Sequence, residues 1–517
     1  MPGGNLEMSL SDIQQEIVNI PGNMIVSASA GTGKTHTMVA KIEKEIEANH
    51  SHKVIAAITF TVKAAKEIKD RLSIDVTNHF IGTNNSFVIE EIIKPFARDV
   101  YGPNMRCDIN TDYSIKKSTF EECENYLLEK KTICSYTDNK KNFVFELALR
   151  IVQQSEACKL FLKAKYFKVY VDEYQDCDQT MHEFFMYICK ELHIKLFVVG
   201  DPKQSIYIWR GAYPQAFKSI LKMEDFQKKA LRDNFRSCQQ IQNYSNLLTD
   251  ETRHLYKPCK DDDAIYLVKA NSSNWVEKIR NLLDLNKTCA LLRFANKDAK
   301  KGAEELSQIG TSFTYIPRTP ISDITTDISW LYNAIAQYFI IKQYSIYDFI
   351  SEIPEESIGD GHIRTYLSNK LDLIKTALES GRDDNIIKEV KNIAEYFGYS
   401  SREKDTRKMI ETINNEEYHA AFNMEELSHV SITFHSSKGL EFDQVIVFSN
   451  DYQLKEEKEI YNHYVAVTRA KLKLIIVKIE DINNSKVTRC GERYYNNIIN
   501  LFKKSDITLG DVVQIID

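Results

Sequence analysis

Short apolar runs that stop abruptly at polar or acidic clusters, separated by stretches with helical spacing of apolar residues, repeat along most of the chain. Met24, Ile25 and Val26 lead into SASAGTGKT (27–35), and Val39, Ile42 and Ile46 follow at helical spacing. The alternating run 167–171 breaks into Asp172 and Glu173, and the apolar run 196–199 breaks into GDPKQ. Further short runs lie at 290–293, 431–434, 445–448 and 474–477, each bounded by helical pattern. Strands alternating with helices predict an α/β fold of parallel sheets joined by right-handed crossovers.

The chemistry sits where the strands stop. Gly31 and Gly33 permit a tight turn in which the backbone of Ser29, Ala30, Gly31, Thr32 and Gly33 cradles a polyphosphate at a helix N-terminus. Lys34 is expected on the β- and γ-phosphates and Thr35 on Mg²⁺, with ATP or another nucleoside triphosphate as the ligand. At the next strand end, Asp172 is expected to hold the metal and Glu173 to orient and deprotonate the attacking water. Gln204 follows a third strand, within reach of a γ-phosphate. Tyr207, Trp209 and Arg210 come just after it, an aromatic and cationic group suited to stacking unpaired bases.

Composition changes this picture little. A net charge of −6 over 517 residues gives no bulk basic signal, so a nucleic-acid site must be a local groove. Ten cysteines without a CxxC pair or a His/Cys cluster argue against structural zinc and suit a reducing compartment. With no apolar leader in MPGGNLEMSLSD and no membrane-length apolar run, the expected location is cytoplasmic, with no membrane partner.

The order of these motifs resembles that of superfamily 1 DNA helicases of the UvrD/Rep type. LSDIQQEIV resembles the adenine-reading motif, which places Gln14 on the base. ITFTVKAAKEIKDRL resembles motif Ia, which implies DNA contacts from Thr59, Phe60 and Thr61. NFRS resembles motif IV, FHSSKGLEF motif V and YVAVTRAK motif VI. The resemblance implies arginine fingers at Arg236 and Arg469, nucleotide contacts from Phe235, Gly439 and Glu441, and a DNA contact from His435. Fingers deliver charge only when a second domain closes over the nucleotide, which couples hydrolysis to movement.

Stretches such as GTNNSFVIEEIIKPF, QQIQNYSNLLTDETR and NHYVAVTRAK are similar to the helicase-like subunits of Gabija anti-phage systems. That narrower likeness implies a GajA-like OLD-family ATPase-nuclease as partner. Departures from the broader pattern bear on specificity. Phe235 stands where a Tyr commonly stacks on adenine and His36 where an Arg commonly follows the phosphate loop, which implies loose base selection. GTNNSF replaces the usual GTFHSF, so Asn84 and Asn85 stand where an aromatic and a His would meet the DNA strand, and the DNA contacts implied there are Thr83 and Asn85.

The implied architecture is two RecA-like parallel-sheet P-loop domains with mainly helical insertions. Domain 1A takes 1–87 and 148–232, insertion 1B 88–147, domain 2A 233–317 and 425–517, and a reduced insertion 2B 318–424. Within 2B, SIGDGHIRTYL faintly resembles a duplex-binding Gly-Ile-Gly hairpin, although a helix-entry turn explains it equally well. The expected function is a DNA-stimulated ATPase and helicase moving 3′ to 5′ on single-stranded DNA. Two alternatives stand beside it: a DNA-end-sensing NTP or dNTP hydrolase that depletes nucleotides, and a non-catalytic DNA-binding scaffold for the nuclease.

Overall fold

The computed structural model describes residues 9–517 apart from 106–108, 209–210, 260–262, 309, 311, 325, 327, 355–361 and 482–484. Trp209, Arg210 and most of the SIGDGH stretch lie outside the described residues. The first half contains β1 (Met24–Ala28), β2 (Val54–Thr59), β3 (Phe80–Thr83), β4 (Asn110–Lys117), β5 (Thr132–Tyr136), β6 (Tyr166–Val171), β7 (Lys195–Gly200) and β8 (Gln227–Leu231). Six of these form an all-parallel sheet in the order β3-β2-β6-β7-β1-β8.

The second half contains β9 (Ile265–Ala270), β10 (Cys289–Arg293), β11 (Thr314–Tyr315), β12 (His429–Thr433), β13 (Phe442–Phe448), β14 (Ala470–Ile479) and β15 (Gln514–Ile516). They form a second all-parallel sheet, β11-β12-β10-β13-β14-β9-β15. Both sheets are covered on both faces, which is why their inner strands read as unbroken apolar runs rather than alternating ones. In β1, Ile25 packs into one core with Ile58 and Val198, while Met24 and Val26 face another with Ala57 and Phe197.

Two segments depart from the sheet pattern. Residues 88–147 hold a π-helical turn (Ile89–Ile93), the helices Lys94–Tyr101 and Phe120–Lys130, and the two-stranded parallel sheet β4-β5. The strand pair is an addition to the mainly helical insertion that the sequence implies. β4 escapes that reading because its sequence NTDYSIKK alternates with solvent on one side and carries few apolar residues. The described residues of 318–424 form five α-helices around a core of their own, built from Leu331, Ile335, Leu367, Leu371, Val390 and Ile393. Arg402 of this segment joins it to the first by bonding Asp112, beside Ser114 Oγ at 3.0 Å.

Candidate nucleotide and DNA site

β1 ends at Ala28, and the helix Lys34–Glu47 begins after five intervening residues, capped by Gly33 in the left-handed region at φ 75°. Gly31, also left-handed, is needed for a second reason. A Cβ there would lie 2.4 Å from Asn234 Oδ1 and 2.7 Å from Arg236 Cβ, so the phosphate loop and the NFRS segment touch only because Gly31 has no side chain. Gln14 is buried beneath the loop, where its Nε2 donates to Thr32 O at 3.2 Å and its Oε1 accepts from Ser11 N at 2.9 Å. Ser29 Oγ accepts from Lys203 Nζ and Arg232 Nη1, each at 3.3 Å. Thr35 and His36 open the helix and line the same cleft.

The two acids follow β6 directly. Glu173 takes φ 49°, an uncommon conformation for a non-glycine residue, which turns its carboxylate back toward the phosphate loop. There it lies 2.7 Å from Lys34 Nζ and also accepts from Gln175 Nε2. Burial opposes the charge on Glu173, but Lys34 and Lys438 outweigh it and hold its pKa well below the usual carboxylate range. Asp172 shifts the other way, since burial and the Glu173 charge both raise it. Burial acting alone would lower Lys34, yet Glu173, Asp172 and Asp201 together raise it.

The cleft of about 1080 Å³ is lined from both sheets. Tyr464, on the second-sheet helix Glu457–Val467, reaches across it. Its hydroxyl accepts from Ala30 N at 3.2 Å and donates to Asp201 Oδ2 at 3.1 Å. Asp201 is fully buried, paired with Lys203 at 2.9 Å, and accepts from Gln204 Nε2 at 2.9 Å. Gln204 Oε1 in turn accepts from Arg469 Nη2 at 3.4 Å. A continuous hydrogen-bonded chain thus runs from the phosphate loop through Tyr464, Asp201 and Gln204 to Arg469. A second crossing is made by Lys438, which pairs with Asp176 and lies 3.9 Å from Glu173.

Arg469 is only 1% exposed, and burial together with the Arg236 charge pushes its pKa down to about 10. Its Nε donates to Val465 O at 2.9 Å and its Nη1 to Leu440 O at 3.2 Å, so the guanidinium is seated rather than free. Arg236 Nε donates to Glu441 Oε2 at 2.7 Å, and Lys471 takes the other Glu441 oxygen at 2.7 Å. Phe235 is 53% exposed at the cleft mouth, its backbone N–H bonded to Gly31 O. Gly439 lines the cleft between Lys438 and Glu441.

The described residues expected on DNA gather at the carboxyl ends of β2, β3 and β12, with Tyr207 following β7. Several hydroxyls there are committed locally. Thr61 caps the helix Val62–Arg71, Thr83 caps Asn84–Val88, and buried Thr59 donates to Thr61 O at 2.9 Å. Asn85 Nδ2 donates to Tyr113 OH of the inserted segment at 3.3 Å. Phe60, Tyr207 and His435 line the cleft, and Lys438 Nζ sits 4.9 Å over the Tyr207 ring.

Motif reading passed over Tyr464, Lys438, Asp176, Asp201 and Lys203. Tyr464, Lys438, Asp201 and Lys203 lie inside the quoted motifs and Asp176 lies three residues beyond Glu173, but apart from the local Asp201–Lys203 pair their contacts reach the other sheet or the phosphate loop, and spacing along the chain carries no sign of those.

Residues 14–210 match a family described as an AAA domain, and residues 346–481 match the UvrD-like helicase C-terminal domain. The chain is 38% identical to Gabija protein GajB of Bacillus cereus (strain VD045), across 90% of this chain and 94% of that protein. It is 24% identical to DNA helicase II of Haemophilus influenzae, across 90% of this chain and 83% of the relative. Similarity to ATP-dependent DNA helicase Rep of Escherichia coli (strain K12) is 26% identity over 48% of this chain and 44% of that helicase. No helix among the described residues is long and apolar enough to cross a membrane.

Proposed function

Since the chain belongs to the UvrD-like ATP-dependent DNA helicases and is a relative of GajB, we propose that it is the motor subunit of a Gabija-type anti-phage system. In this reading it hydrolyses ATP when bound to DNA, moves 3′ to 5′ on a single strand, and works beside a GajA-like OLD-family ATPase-nuclease. The observation that carries it is the cross-cleft chain from Ala30 through Tyr464, Asp201 and Gln204 to Arg469. Groups that touch the phosphates from one sheet are bonded to groups that move with the other, so a change at the γ-phosphate is felt as a change between the sheets.

Lys34 and the loop backbone bind the phosphates. Glu173 takes a proton from the attacking water, and Arg469 and Arg236 bring charge to the leaving and transferring groups. The Thr35 hydroxyl and the Asp172 carboxylate are hard oxygen donors that suit Mg²⁺, which supplies charge neutralisation on the phosphate oxygens.

One feature favours a second reading, nucleotide depletion without processive unwinding. Gln14 has both ends of its amide engaged by Ser11 and Thr32, and Phe235 lacks a hydroxyl, so little in the base pocket selects adenine. Strand displacement on 3′-tailed and 5′-tailed duplexes, with each NTP and dNTP, separates the two. Unwinding of the 3′-tailed substrate with ATP supports the motor. Hydrolysis of many nucleotides without displacement supports depletion. Co-purification with a co-expressed GajA-like protein tests the partner, and separate elution at micromolar concentration removes it.

A further inference from the structure

The two sheets follow one plan. With β11 set aside, the order β3-β2-β6-β7-β1-β8 maps strand for strand onto β12-β10-β13-β14-β9-β15. The counterpart of β2 is therefore β10, and that of β3 is β12. Register agrees at the carboxyl ends, where Thr59 pairs with Thr83 in the first sheet and Arg293 with Thr433 in the second. The residue after each strand is then equivalent as well: Phe294 in the second domain stands where Phe60 stands in the first, and Phe434 and His435 stand where Asn84 and Asn85 do.

Phe294 is 50% exposed, a large apolar ring left in solvent. Its backbone is anchored. Its backbone N–H donates to Asp451 Oδ2 at 3.1 Å, and the Arg293 guanidinium forks onto the same carboxylate at 2.8 and 3.1 Å, both partners being nearly buried. The ring lies 5.5 Å from that of Phe434 and 5.9 Å, edge to face, from that of His435, which lines the nucleotide cleft. A nearly buried bidentate ion pair fixes the turn that presents this phenyl outward, at the strand end where ligands of parallel sheets collect.

We propose that Phe294 stacks on an unpaired base of single-stranded DNA, as the second-domain counterpart of Phe60. The proposal rests on the DNA-motor reading and adds to it a second base platform on the other sheet. With one aromatic on each domain, closure of the cleft changes the spacing between two gripped bases, which is what a stepping motor requires. Recognition through a π-face is indifferent to base identity.

The test compares binding of oligothymidylate with binding of an abasic strand of equal length, by fluorescence anisotropy, in the parent and in Phe294→Ala, Phe294→Leu and Phe294→Trp. The abasic strand keeps the phosphates and lacks the stacking face. Loss of a stacked base is expected to weaken oligothymidylate binding by roughly 10- to 100-fold in the Ala and Leu variants, with abasic binding within about twofold of the parent. The Trp variant is expected to keep the preference for bases. Equal weakening toward both strands, or a Leu variant that discriminates as the parent does, would overturn the proposal. If the parent itself binds neither strand, the DNA-motor reading fails instead.

Discussion

The Lys34 ammonium lies 2.7 Å from the Glu173 carboxylate, so the group proposed to bind phosphate and the group proposed to activate water neutralise each other inside the cleft. In the proposed mechanism a γ-phosphate would compete with Glu173 for Lys34 and free the carboxylate for water. Lys34→Ala and Glu173→Gln are therefore expected to abolish hydrolysis by different routes, Lys34→Ala through binding and Glu173→Gln through chemistry. Equilibrium binding of a fluorescent ATP analogue distinguishes them. Turnover by Glu173→Gln within tenfold of the parent would remove Glu173 from the base role.

Arg236 and Arg469 reach the cleft from opposite environments, Arg236 clamped to Glu441 and Arg469 seated among backbone carbonyls. Either change to Ala is expected to lower kcat on the order of 10³-fold while nucleotide affinity falls far less. A parallel collapse of affinity would show that they pack the interface and do not serve the transition state.

Tyr464→Phe removes one oxygen from the cross-cleft chain and leaves Asp201 paired with Lys203. A hydrogen bond to a buried carboxylate contributes about 1.5 to 3 kcal/mol, so kcat should fall roughly tenfold or more with KM little changed. A rise in KM with kcat intact would place Tyr464 in simple binding.

The same helix carries His463, fully buried, with Nε2 2.9 Å from Tyr244 OH and 3.1 Å from Tyr494 OH. Burial pushes its pKa from 6.5 down to about 3, so the folded state holds it neutral. Because the folded value is depressed, its contribution to stability is complete above the unfolded value and is lost as pH falls from 6.5 toward 3. Chemical denaturation of His463→Gln at pH 7 and pH 5 is expected to lose ~2 kcal/mol less than the parent across that interval. An identical loss would mean that His463 titrates normally.

The strands that carry the nucleotide chemistry were legible because each is buried on both faces and ends in a polar cluster, as β1, β6 and β7 do. β8 and β15 were not. Both lie at sheet edges, where QKKAL is mostly polar and partly exposed and QII is only three residues long with Ile515 turned to solvent. The site divides along the same line. Lys34, Asp172 and Glu173 are announced by local spacing, whereas Tyr464 on Ala30 and Lys438 on Asp176 join residues more than 250 positions apart. Only folding brings those pairs together, so no local pattern marks them.

Nucleotide hydrolysis in this cleft is proposed to be tied to a DNA strand held across both sheets. Steady-state ATP hydrolysis at saturating nucleotide, with and without single-stranded DNA, in the parent and in Glu173→Gln, tests it most directly. The parent rate is expected to rise roughly tenfold or more with single-stranded DNA and hydrolysis to be absent from Glu173→Gln under both conditions. A parent rate unchanged by DNA, or DNA stimulation that survives in Glu173→Gln, would contradict it.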